Sequence, residues 1–277
     1  PMDYDAFWNM KKTAQADYIW KNLFVRRSPL SEACRGVLTC IRELGLDPAE
    51  RDLKKIREYF ASISVDDYID RVWELGNIES VVMTNNAFDS QERAVWEKSP
   101  QIDSRFKTAL RMDELLVNWE GAARSLKAFG YDVSTDLTDS DAAEIRRFLE
   151  DEIRRMDPVY MAASLPPAFR FPEDSICGRI LESCVLPVSR EKDVPLALMI
   201  GVKKLTNPGL RVAGDSVGKA DICAVENLCA GYPDNKFLVT MLSRENQHEL
   251  CIAARKFSNL MVFGCWWYLN NPSIIEE

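Results

Sequence analysis

NKFLVTMLSREN, residues Asn235 to Asn246, holds six mostly apolar residues, Phe237 to Leu242, that give way abruptly to Ser243, Arg244, Glu245 and Asn246. An apolar run of this length fits a strand buried on both faces, and such strands belong to parallel sheets covered by helices. The pattern returns at Leu260 to Trp267, LMVFGCWW, where Leu260 to Cys265 runs into Trp266 and Trp267. In a parallel α/β fold the chemistry sits just past the carboxyl ends of the strands. The polar residues that close these runs are therefore the first candidates for a site.

Working outward, further apolar runs lie at 80–84 (SVVMT), 106–110 (FKTAL), 159–165 (VYMAASL) and 196–202 (LALMIGV). Helical patterns separate most of them. The best spans Asp141 to Met156, with Ile145, Phe148, Leu149, Ile153 and Met156 on one face and charges opposite. Strands alternating with helices predict βαβ units and a parallel sheet. Six strands in one series suit an incomplete (β/α)8 TIM barrel, about six of its eight strands, better than a doubly wound sheet.

Ahead of the first run, residues 1–76 read as helices. Ser28-Pro29 offers a cap and a first-turn proline before Leu30, Val37, Leu38, Ile41 and Leu44, and Gly45 closes that helix. Asp47 with Glu50 has the spacing of a capping box ahead of Leu53, Ile56 and Phe60. Ser64 with Asp67 caps a third helix, which Gly76 stops. The expected organisation is a helical insertion at 1–76 and a partial barrel at 77–277. Six strands where a barrel needs eight, and a new helix opening at Asn271-Pro272, predict the middle of a longer protein.

Composition narrows the function. A 47% hydrophobic content in 277 residues can bury a sizeable core. A net charge of −8 argues against a nucleic-acid binder and against adsorption to an anionic membrane. No run approaches the length of a membrane span and no signal peptide opens the chain, so the expected compartment is the cytoplasm. The eight cysteines form no CxxC pair, and three pairs lie six or seven residues apart, as helix packing alone produces. Buried thiols in a reducing compartment are the expectation. His248 is the one histidine, with no GxSxG turn and no HExxH partner, and it reads as structural or as a support behind the site residues.

The strand ends supply Thr84-Asn85-Asn86, Arg111, Ser164, Lys203-Lys204, Ser243-Arg244-Glu245-Asn246 and Trp266-Trp267. Four of these residues are cations in a chain with excess acid. A cationic rim of this kind points to a small anionic ligand, since arginine meets a carboxylate through two parallel hydrogen bonds. Each cation alone can equally be a solvated loop residue, and Asn85 and Asn86 can be turn residues.

The blocks SEACRGVLT (31–39), SVVMTN (80–85) followed by Phe88-Asp89, DSRFKTALRMD (103–113), RMDPVYMAASLPP (155–167), MIGVKK (199–204), KFLVTMLSRENQHEL (236–250) and FGCWWYLNNP (263–272) resemble the uronate isomerases of the amidohydrolase superfamily. They look most like the divergent, glucuronate-isomerase-related bacterial branch. The resemblance implies a (β/α)8 barrel that interconverts D-glucuronate with D-fructuronate, and D-galacturonate with D-tagaturonate, by shifting a proton between C2 and C1. It implies a small sugar acid as the ligand, with Arg111, Arg244 and Lys203 binding carboxylate or hydroxyl and Asn246 and Trp266 orienting the sugar. A homo-oligomer stays open.

The departures are equally specific. The family's His-x-His pair on the first barrel strand and its metal-binding Asp on the last have no counterpart here. The His that many superfamily members place after the fifth strand would fall where this chain has Met199. The resemblance thus implies a divalent metal, zinc by expectation, in a full-length parent whose ligands lie outside this chain. The catalytic acid and base stay unassigned. Asn85-Asn86 carries Asn where relatives often have Asp. Two other readings stand beside the isomerase: a metal-dependent hydrolase of the same superfamily, and a catalytically silent piece of chain.

Overall fold

The computed structural model describes residues 2–264, 268–269 and 272–276. The chain divides into two compact units, residues 1–79 and 80–277.

In the first unit the helices are α1 (Tyr4–Trp8), α2 (Lys12–Ile19, continued by a wider turn to Val25), α3 (Glu32–Glu43), α4 (Lys54–Ser62) and α5 (Val65–Gly76). α3 starts at Ser31, not at Ser28-Pro29, because the Ser31 hydroxyl accepts from the Cys34 N–H. That shift leaves Leu30 outside the helix and 77% exposed. The Asp47–Glu50 capping box does not form either. Asp47 turns its carboxylate to the Ala49 N–H (2.8 Å), Glu50 pairs with Lys55, and α4 waits for Asp52, which accepts from the Lys54 N–H. Ser64 caps α5 as its spacing predicts, and Asn77 takes the left-handed turn after Gly76. Trp20 ties this unit together: it stacks on Phe24 at 4.6 Å and donates from Nε1 to the Arg51 carbonyl.

The second unit contains β1 (Val81–Asn86), α6 (Ser90–Trp96), β2 (Phe106–Arg111), α7 (Asp113–Val117), α8 (Trp119–Ala128), α9 (Asp139–Met156), β3 (Met161–Leu165), α10 (Ile176–Ile180), α11 (Leu186–Glu191), β4 (Leu196–Ile200), β5 (Val202–Lys203), β6 (Ser216–Val217), α12 (Cys223–Gly231), β7 (Phe237–Met241), α13 (Gln247–Ala254), β8 (Leu260–Val262) and α14 (Pro272–Glu276). Six strands form one sheet in the order β1-β2-β3-β4-β7-β8, every pairing parallel. The order never reverses, so there is no switch point of the doubly wound kind. This is the strand succession of a (β/α)8 barrel, open among the described residues.

Burial follows position in the sheet. All five residues of β3 are buried, as are most of β4 and β7, whereas β1 at one end alternates and Met261 of β8 at the other is exposed. The helices lay their apolar stripes on the strands, with Ile145, Phe148 and Leu149 of α9 among the fully buried residues. α9 begins two residues before the expected Asp141 because Thr138 and Asp141 close a reciprocal capping box. Its buried face also carries Glu152, which accepts from Arg93 at 2.8 Å and pairs with Arg155. Seven described cysteines are free thiols; Cys40, Cys223 and Cys251 are exposed, against the expectation of burial.

The run at 196–202 is not one strand. Gly201 has φ +119°, a region closed to most side chains. Its N–H donates to the Leu165 carbonyl and its own carbonyl accepts from Gly218 N–H, both at 2.9 Å. The chain therefore leaves the sheet after Ile200, and Val202–Lys203 pairs antiparallel with Ser216–Val217. Among the described residues, no helix is long and apolar enough to cross a membrane.

Candidate functional site

Parallel pairing brings the carboxyl ends of the strands to one rim. Asn86, the last residue of β1, sits in register with Arg111, the last of β2, and Arg111 with Ala162 of β3, two residues before Ser164. These ends open a cleft of about 630 Å³, lined by Thr84, Asn86, Glu92, Arg111, Asp113, Glu114, Val117, Ser164, Pro166, Pro167, Val202, Lys203 and Lys204.

The turn at Gly201 brings the two lysines there. Had the strand run on, Lys203 would have continued the sheet; instead the short β5–β6 ribbon carries it to the cleft wall. Gly218 lets the ribbon close, since a Cβ there would meet Pro167 Cγ at 2.8 Å and Lys203 Cδ at 2.9 Å. Lys204 is tied down by Asp215 (2.8 Å), which also accepts from the Leu205 N–H and whose carboxyl Lys204 holds below its usual range. Lys203 is exposed, and its ammonium makes no ion pair with a described residue.

Arg111 is clamped. Its Nε donates to Asp113 Oδ2 at 2.8 Å, and its Nη2 donates to Asp113 Oδ1 at 2.6 Å and to Ser164 Oγ at 3.1 Å. Asp113 Oδ1 also accepts from the Ser164 N–H at 2.9 Å, so one carboxylate joins the tips of β2 and β3. The bond to Asp113 raises the guanidinium's hold on its proton, against the burial that lowers it. At the end of the neighbouring strand β1, Glu92 accepts from the Asn86 N–H (3.0 Å) and from Asn85 Nδ2 (3.3 Å), and Asn86 Oδ1 accepts from the Phe88 N–H.

The rim is thus mixed, not purely cationic. Arg111, Lys203 and Lys204 line the same cleft as Glu92, Asp113 and Glu114. Such a lining suits a ligand that carries hydroxyls as well as an anion: carboxylates accept from hydroxyls, and the cations take the negative end. Strand-end reasoning reaches Arg111, Lys203, Lys204, Ser164, Thr84 and Asn86, but it misses Asp113, Glu92, Glu114 and the two prolines. The signal for Asp113 was available, since it stands two residues after Arg111 and begins α7.

Arg244 and Asn246 do not join this cleft. Arg244 is exposed on the short turn between β7 and α13. Asn246 is fully buried, and its amide is committed to the framework. Its Nδ2 donates to the Ala220 carbonyl (2.9 Å) and to Glu249, and its Oδ1 accepts from the Ala220 N–H (3.0 Å). That pair of bonds to one residue stitches the loop before α12 to the loop after β7. His248, also exposed, is the second residue of α13. Trp266 lies outside the described residues. Among the described residues, no group of three or more His, Cys, Asp or Glu is placed to hold a metal ion.

No family model and no curated protein sequence matches the chain. Solved structures do. Over 74% of the chain, it superposes on a uronate isomerase from Thermotoga maritima (TM-score 0.59, 14% identity, 53% of that protein's length) and on a glucuronate isomerase from Caulobacter crescentus (TM-score 0.57, 18% identity, 50% of its length). At those identities the two speak for the fold alone. A uronate isomerase from Bacillus halodurans is 57% identical over 98% of the chain, with a TM-score of 0.95, and the chain spans 64% of its length. With more than half its residues shared along nearly its whole length, and the same succession of strands beneath them, the chain belongs to the uronate isomerase family.

Proposed function

We propose that the protein interconverts an aldouronate and a ketouronate, D-glucuronate with D-fructuronate and D-galacturonate with D-tagaturonate, and that the cleft at the strand ends is where this chain meets the sugar acid. The observation that carries the reading is Arg111. It stands at the end of β2 in a polar cleft, with Lys203 on the wall, in a chain 57% identical to a uronate isomerase.

The reaction removes a proton from C2 and delivers one to C1. The O2 hydroxyl becomes a carbonyl as the C1 carbonyl becomes a hydroxyl, with no net oxidation. It requires a group to carry the proton, a partner for the oxygen that gains negative charge, and a cation for the C6 carboxylate. This chain supplies the binding side. Arg111 and Lys203 offer positive charge, and Thr84, Asn86 and Ser164 line the same cleft with polar side chains. The divalent metal implied by the family resemblance has no seat among the described residues.

The test is to incubate the full-length parent with D-glucuronate and, separately, D-galacturonate in the presence of a divalent metal, and to identify the products. Formation of the corresponding ketouronate, lost on Arg111→Ala, is expected. Cleavage of the substrate would favour the hydrolase reading. An inert parent would overturn the isomerase reading.

A further inference from the structure

We propose that Asp113 is the positioning residue of the cleft: it fixes which edge of Arg111 the ligand meets. The inference rests on the reading that the cleft holds a uronate. A guanidinium has five N–H donors in a rigid planar fork. Asp113 takes one from Nε and one from Nη2, and Ser164 Oγ takes the other from Nη2. The two Nη1 hydrogens are the ones that bond no described residue.

Arg111 therefore does not offer a ligand its Nε/Nη2 edge, the edge an arginine commonly lays against a carboxylate. It offers Nη1, with its guanidinium plane set by two strands at once, because the same Asp113 oxygen that holds Nη2 also accepts from the Ser164 N–H on β3. An unclamped arginine would spread over many rotamers and lose that freedom on binding. Asp113 removes the loss in advance. Ser164 is 6% exposed, so the clamp is anchored in the sheet and not on a mobile loop.

The sign of one effect separates positioning from plain electrostatics. Asp113 carries a negative charge beside the cation, so removing that charge alone would tighten binding of an anionic sugar. Loss of positioning would weaken it. Asp113→Asn keeps an acceptor for the Ser164 N–H, but it can set an NH₂ group against the Nε–H of Arg111 and open the fork.

The experiment is a calorimetric titration of D-glucuronate into the protein, wild type, Asp113→Asn, Arg111→Ala and the double variant, with the thermal midpoint of each recorded. In parallel, the Arg111 Nε–H resonance is followed by nitrogen-15 NMR. Asp113→Asn is expected to weaken binding about tenfold, the loss typical of a hydrogen bond to a charged group. It is expected to add nothing in the Arg111→Ala background and to abolish the slow solvent exchange of Arg111 Nε–H. Tighter or unchanged binding, or an equal loss in the Arg111→Ala background, would overturn the proposal. Should wild type bind no D-glucuronate, the proposed function fails and the Nε–H signal decides the positioning alone: protection that survives Asp113→Asn sinks it.

Discussion

At the scale of single residues, the carboxylates do more structural work than their positions in the sequence advertise. Asp141 is the clearest case. Burial would push its carboxyl up, but Ser134 donates from N (2.7 Å) and Oγ (2.6 Å), and Thr138 donates from N (2.6 Å) and Oγ1 (2.8 Å). These bonds more than offset burial and hold the group at about 2. A carboxyl whose folded value lies below its unfolded value of about 3.9 stabilises the fold above that unfolded value, and the contribution fades as pH falls toward about 2. Asp141→Asn should therefore lower the unfolding free energy at pH 7 by ~2 kcal/mol, with the gap from wild type closing between about pH 4 and pH 2. Urea unfolding across that range checks it; a gap independent of pH would contradict the assignment. Asp113 and Asn246 carry the same lesson. The identity of Asn246 is plain in SREN, but nothing in four letters says that both ends of its amide bond Ala220.

At the scale of elements, strands were legible and their interruptions were not. Short apolar runs mark β2, β3, β4 and β7 because a sheet covered by helices demands apolar residues on both faces. The helix starts in the first unit were misplaced where two capping residues competed: Ser31 caps in place of Ser28, and Asp47 turns back on Ala49 instead of opening α4. The break inside LALMIGV left no polar mark, since both neighbours of Gly201 are apolar and buried. Yet that glycine sets where Lys203 stands. A Cβ there would approach the Gly218 carbonyl oxygen at 2.9 Å, and φ +119° is strained for any other residue. Gly201→Ala is predicted to cost about 1–3 kcal/mol, the range for one forced backbone conformation, and to shift the β5–β6 ribbon. A fall in the thermal midpoint together with altered Lys203 resonances would bear this out; an unchanged midpoint would not.

At the scale of the whole second unit, function follows from strand direction. Six strands paired in parallel and in chain order place six carboxyl ends on one edge, so residues as distant in sequence as Asn86, Arg111, Ser164 and Lys203 line a single cleft. That convergence could be read from the succession of runs alone, because it depends on topology and not on side-chain detail. The charge balance could not, since Glu92, Asp113 and Glu114 come from residues just beyond the strand ends, where the helices begin. The proposed function depends on this cleft being the sugar-acid site. The most direct measurement is a titration of D-glucuronate into the nitrogen-15-labelled protein, with every shifted amide mapped onto the fold. Shifts should concentrate at Thr84, Asn86, Arg111, Asp113, Ser164 and Lys203. Shifts confined elsewhere, such as the surface around Arg146, Arg147 and Ser183, would contradict it.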